Sequence, residues 1–264
     1  MTSALSTTAL FLLLASALLD AISLFRGGRG REKASTAILA AAAAALAAAV
    51  VARSVEIGFP ALTGTFESLV FYAAATAAVG VAYRAQKRFS VEPALSFGIT
   101  VIAAAFIAIA SSPIAPKDAL APVPVLRSFW LVLHVSLSII GEALFALAFV
   151  TALASLLSRD EGKRLERDRI TYAAIAIGYP VFTAGALVFG AIWAESAWGS
   201  WWSWDPKETW AAVTWLVYTL YLHLRLIRGR KDRLPALVAV IGFLSALFTF
   251  FGVNFLLPGL HSYK

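Results

Sequence analysis

A chain of 264 residues that is 60% hydrophobic and only 14% charged, with a mean hydropathy of +0.80, is too apolar to be a water-soluble globular domain, in which roughly 25% of residues carry charge. The net charge of +7 does not mark a nucleic-acid partner, because the basic residues are sorted by loop, and the lack of cysteine excludes disulfides, thiolate metal ligands and thiol redox chemistry by these residues. What remains is an integral membrane protein with the lipid bilayer as its solvent.

Apolar periodicity and length predict eight spans, each close to the roughly 17–25 residues that cross a hydrocarbon core. The first covers 7–25. Residues 1–31 lack a basic start and carry their charge after the apolar run, so they read as a span and not as a secretory signal. The second, 35–52, holds an alanine run at 40–49 broken only by Leu46, whose small side chains suit close helix contact. The third, 66–83, has Glu67 near its outer end, and the fourth, 95–110, is short. The fifth, 129–157, is long enough to tilt or to extend past the bilayer, and carries His134 and Glu142. The sixth is 170–193, the seventh 210–227 with His223 near its inner end, and the eighth 234–257, followed by His261. The predicted fold class is an all-α polytopic membrane protein, a single transmembrane domain over 1–264 without internal repeats. Seventeen of the twenty-two Lys and Arg fall on one set of alternating loops. Only Arg53, Lys117, Arg127, Lys207 and Lys264 fall on the other, so the positive-inside rule places both termini and the loop before span seven outside.

That loop is the densest feature of the chain. WGSWWSWDPKETW holds five of the eight tryptophans, with Trp198, Trp201, Trp202 and Trp204 inside seven residues and Gly199, Ser200 and Ser203 between them. Two readings stand, an interfacial aromatic belt and a flat apolar platform for a planar ligand; the density and the small spacers favour the platform. Asp205, Pro206 and Glu208 have the spacing of a capping box with proline at the first helical position, which makes the aspartate a helix cap whatever else it does.

Only three histidines occur, at two depths. His134 lies one to two turns below the outer end of span five and His261 follows span eight, so both can meet the tryptophan loop, whereas His223 is fifteen residues past Glu208, a descent of roughly 22 Å at 1.5 Å per residue. Each alone has a plain explanation, as an interhelical hydrogen-bonding, tail or snorkelling residue. Two imidazoles converging on an aromatic platform suit a porphyrin with two axial ligands. Arg127, seven residues before His134 and so on nearly the same helix face, suits a haem propionate or an interfacial anchor. Glu142 and Glu67 read either as functional carboxyls or as hydrogen-bonded acids between helices.

AESAWGSWWSWDPKETWAAVTWLVYTLYLHLR (194–225), FGVNFLLPGLHSY at the C-terminal end and WLVLHVSL around His134 together resemble the CcsA-type (ResC-type) haem-handling membrane proteins of System II cytochrome c biogenesis, with 194–225 similar to their WWD signature. GFPALTGTFESLVF (58–71) matches more weakly, since that family usually has Asn near Gly64. The resemblance implies that His134 and His261 are outer axial ligands of haem b. The WWD residues Trp198, Trp201, Trp202, Trp204 and Asp205 would hold the vinyl edge, and His223 would be one ligand of an inner site completed by a CcsB/ResB-type partner. It further implies thioether formation between haem vinyls and the CxxCH cysteines of apocytochrome c, on the outer face of a bacterial inner membrane or a thylakoid. Other classes remain alongside it: a System I-type haem handler, a carrier with a tryptophan gate and histidine proton relays, and a haem-bearing electron-transfer anchor.

Overall fold

The computed structural model describes residues 1–26 and 29–257. Among them, eight helices are long and apolar enough to cross a membrane, as the periodicity predicts, and no strand occurs. In hydrocarbon every backbone N–H and C=O must find its partner within the segment, so runs of this length close into helices.

The chain groups into two compact units, Met1–Arg127 and Ser128–Lys264. The first comprises α1 (Thr2–Arg26), α2 (Arg29–Ile57), α3 (Thr65–Ala85) and α4 (Pro93–Ser111), where α1 packs on α2 and α4 and α3 packs on the same two. The alanine run is explained by this packing: Leu39, Ala42, Leu46 and Ala49 recur at three- and four-residue spacing and are wholly buried, as are Ala9 and Leu13 of α1. Two buried ion pairs tie the unit. Arg53 Nε donates to Glu67 Oε1 at 2.7 Å and Arg53 Nη2 donates to the carbonyls of Lys117 and Asp118, both at 2.9 Å, so Glu67 serves as an interhelical partner. Arg84 and Asp20 form the second pair.

In the second unit α5 (Phe129–Leu157) packs against α6 (Glu161–Phe182) and α9 (Arg233–Leu247), while α8 (Pro206–Leu222) packs on α9. Span five ends where the sequence predicts, but the sixth is longer: α6 starts at Glu161, capped by Asp160, and continues through a π-helical turn, Thr183–Phe189, into α7 (Gly190–Trp198). Further π-helical turns follow α8 (His223–Ile227) and α9 (Phe248–Gly252), the latter leading to α10 (Val253–Leu256). In the loop before α9, the Arg230 side chain hydrogen-bonds Asp232, the α9 N-cap, and holds its carboxyl below the usual range.

Candidate functional site

Pro180 lacks an N–H and leaves the carbonyl of Ala176 without its ordinary helical donor, and three residues later the helix widens into the π-turn. Thr183, at the start of that turn, accepts from Trp215 Nε1 at 3.1 Å, which ties the turn to α8, and one helical turn earlier Tyr179 Oη of α6 lies 2.8 Å from Thr219 Oγ1 of the same helix. The turn faces α5, and there His134 Nδ1 lies 2.9 Å from the Gly185 carbonyl oxygen. A carbonyl only accepts, so Nδ1 is a protonated nitrogen; in the neutral ring, the form in which imidazole binds iron, the lone pair is then on Nε2. The half-buried ring lies parallel to Trp193, with centroids 6.1 Å apart and planes 8° apart. Trp193, 1% exposed, meets Trp198 edge-on at 5.7 Å. Trp130 stacks on Phe189 beside them.

α7 stops at Gly199, whose φ of +71° is left-handed and whose N–H donates to the Glu195 carbonyl. The following loop turns its rings outward: Trp201 is 60% and Trp204 73% exposed, and Trp202 meets Trp204 edge-on at 5.8 Å. Trp204 has φ +60°, an uncommon conformation for a bulky residue that costs on the order of 1–3 kcal/mol. The Nε1 atoms of Trp198 and Trp202 are buried without a hydrogen-bond partner, an unmet donor capacity of the kind a ligand satisfies. Asp205 and Glu208 form the expected capping box: Lys207 N–H donates to Asp205 Oδ1 at 2.9 Å, and the N–H groups of Ser203 and Asp205 donate to Glu208 Oε2. Asp205→Asn, a substitution between two good caps, is expected to keep thermal stability in detergent, whereas Asp205→Ala loses roughly 0.5–2 kcal/mol. Haem loss in a stable Asn variant would assign the carboxylate a role beyond capping.

The structure thus brings His134, Trp193 and Trp198 together and leaves Trp201, Trp202, Trp204 and Asp205 as a loop continuing from them. Arg127 is corrected: α5 begins at Phe129 with Ser128 as N-cap, so Arg127 precedes the helix, and helical spacing does not relate it to His134. It is exposed, and its Nε donates to the Pro122 carbonyl at 3.1 Å. His223 is exposed and opens the π-turn after α8, at the end of that helix away from the loop. His261 lies outside the described residues.

The model of the cytochrome c assembly protein family matches residues 62–261 of this chain. The chain belongs to that family. It is 38% identical over 216 residues to the cytochrome c biogenesis protein CcsA of Chlamydomonas reinhardtii, covering 78% of this chain and 61% of that protein. To the CcsA of Parasynechococcus marenigrum it is 37% identical over 251 residues, covering 81% of each, and to that of Prochlorococcus marinus 35% over 252 residues, covering 81% and 78%. A solved structure of the cytochrome c haem lyase CcmF superposes with a TM-score of 0.78 over 98% of this chain and 47% of that one; at 16% identity the match establishes a shared fold. The chain is therefore a CcsA-type cytochrome c biogenesis protein embedded in a membrane.

Within this CcsA-type chain the sequence reading misses four participants. Trp193 and Gly185 act on His134 from 59 and 51 residues away, and no local pattern announces them, although GALVFGAIW, with glycines five apart ahead of a tryptophan, is the available signal. Lys207, read only as one of the five basic residues on the outer side, donates through Nζ to Asn254 Oδ1 at 3.0 Å and lies in the field of Glu142 and Asp205. This joins the tryptophan loop to the last described helix.

Proposed function

We propose that this chain receives haem b, holds it on the outer face between His134 and His261 beneath the WWD tryptophans, and presents its vinyl edge to the CxxCH cysteines of apocytochrome c. Each thiol adds across a vinyl group: a C–S bond forms, the hydrogen passes to the adjacent vinyl carbon, and no net redox change occurs. Catalysis then consists mainly of holding vinyl and thiol in near-attack geometry. The observation that carries this reading is the His134 imidazole, held at Nδ1 by the Gly185 carbonyl and walled by Trp193, which Trp198 meets edge-on in turn. The orphan indole N–H groups and the outward rings of the loop are consistent with a planar cargo.

In the same proposal His223 is one ligand of an inner haem site, the second coming from a CcsB/ResB-type partner, and its exposure on the end of α8 suits a ligand shared with another chain. The membrane is a bacterial inner membrane or a thylakoid, with the site on its extracytoplasmic side. Co-expression with a ResB-type partner and a CxxCH apocytochrome is expected to yield covalently attached haem, read as a haem-stained cytochrome and a shifted pyridine haemochrome. His223→Ala is expected to abolish this while purified protein still binds supplied haem through the outer site. Normal maturation in that variant would end the two-site scheme, and a colourless, stable wild-type protein that binds no haem would favour the carrier class.

A further inference from the structure

The surroundings of His134 are more specific than ligation alone requires. A π-helical turn is a rare departure from continuous α-helix, and such turns are frequent at functional sites. Here the Gly185 carbonyl accepts the Gly190 N–H along the widened turn and the His134 Nδ1–H across it, which uses both of its lone pairs. Both glycines are demanded by space. A Cβ at 185 would lie 2.3 Å from the Ser138 nitrogen and 2.7 Å from the Leu137 carbonyl carbon, so only glycine lets this carbonyl approach α5. A Cβ at 190 would lie 2.9 Å from His134 Nδ1 and 3.1 Å from Cε1, inside the ring's own contact surface. Trp193, three residues on, then lies parallel to the ring and limits its tilt.

We infer that the π-turn from Gly185 to Gly190 is a positioning element for the His134 imidazole, with the Gly185 carbonyl setting its tautomer and rotation and Gly190 clearing the space it occupies. The inference rests on His134 being a haem ligand. A hydrogen bond to the far nitrogen of an iron-bound imidazole makes the ring a stronger donor and removes the rotational freedom that ligation would otherwise have to quench. Gly185 and Gly190 are thus positioning residues; neither touches the iron.

The test uses the full chain in detergent micelles, titrated with haem b. Gly190→Ala pushes the ring off the Gly185 carbonyl, and about 10- to 100-fold weaker haem binding is expected, together with an upward shift in the reduction potential of the haem that does bind, because a weaker donor stabilises the ferric state less. Unchanged affinity and potential in Gly190→Ala, with haem lost in His134→Ala, would overturn the positioning role and leave the ligand assignment standing. Haem bound with an unaltered spectrum in His134→Ala would instead remove the ligand assignment itself.

A second route avoids any change to the turn and serves if Gly190→Ala does not fold. In His134→Ala, imidazole and 1-methylimidazole both bring a lone pair to iron, but only imidazole keeps an N–H for the Gly185 carbonyl. Imidazole is expected to restore the low-spin spectrum at a concentration at least about tenfold below 1-methylimidazole and to a lower reduction potential. Equal concentrations and equal potentials would overturn the inference.

Discussion

Replacing His134 by Ala is expected to abolish the bis-imidazole haem spectrum of the purified protein, and imidazole in the buffer is expected to restore it. Loss of a group that merely orients a metal ligand costs about 10- to 100-fold in affinity, so removal of the ligand itself should exceed that range. The fold should tolerate the change far better than the haem does. The ring is half-buried, its stacking on Trp193 is worth about 0.5–1.5 kcal/mol, and alanine is the best helix former. The diagnostic result is therefore a near-native melting profile with lost Soret intensity that returns with imidazole. Full haem occupancy without His134 would refute the outer ligand set and, with it, the proposed route to the thioether.

The second large effect concerns stability. Arg84→Ala is expected to destabilise the first unit by about 3–5 kcal/mol, the range for leaving a buried charge without its partner. Arg84 Nη2 donates to Asp20 Oδ2 at 2.7 Å and to Thr100 Oγ1 at 2.8 Å, and Nη1 donates to Ser35 Oγ at 2.8 Å, while Ser35 Oγ also donates to Asp20 Oδ1 at 2.6 Å. Asp20, Ser35, Arg84 and Thr100 come one from each of α1 to α4, and the side chains of the ion pair are only 2% and 4% exposed. Truncation strands the buried Asp20 carboxylate among the helices without its cationic partner. Joint replacement, Asp20→Leu with Arg84→Met, removes both charges and is expected to recover most or all of the loss, since apolar substitutes for a buried pair are often neutral or stabilising. Unfolding midpoints in detergent decide it. A single variant as stable as wild type would mean that the pair does not hold the four helices together.

The eight spans are legible because a hydrocarbon crossing is a local demand for length and apolarity. Span five is predicted to the residue at both ends, and the Asp205–Glu208 capping box is equally plain, since all its atoms fall within four residues. The spans that differ do so where polar residues continue a helix beyond its apolar stretch, as at Glu161, which Asp160 caps. Arg127 is misplaced for the opposite reason. Its helical spacing to His134 would have to run through Ser128, where the backbone is extended and not yet helical. Glu67 is ambiguous in sequence because its partner, Arg53, belongs to another helix.

From the sequence alone follow the membrane class, the number of spans, the capping of the tryptophan loop and the family resemblance, because each is written in runs, spacings or short motifs. Tertiary structure alone decides that Trp193, not an exposed loop tryptophan, lies against His134, that Gly185 carries the carbonyl its Nδ1–H meets, and that Lys207 reaches Asn254. The register of a π-turn depends on which carbonyl finds a donor on a facing helix, and the choice among many buried partners depends on packing between segments tens of residues apart, to which no local pattern is sensitive.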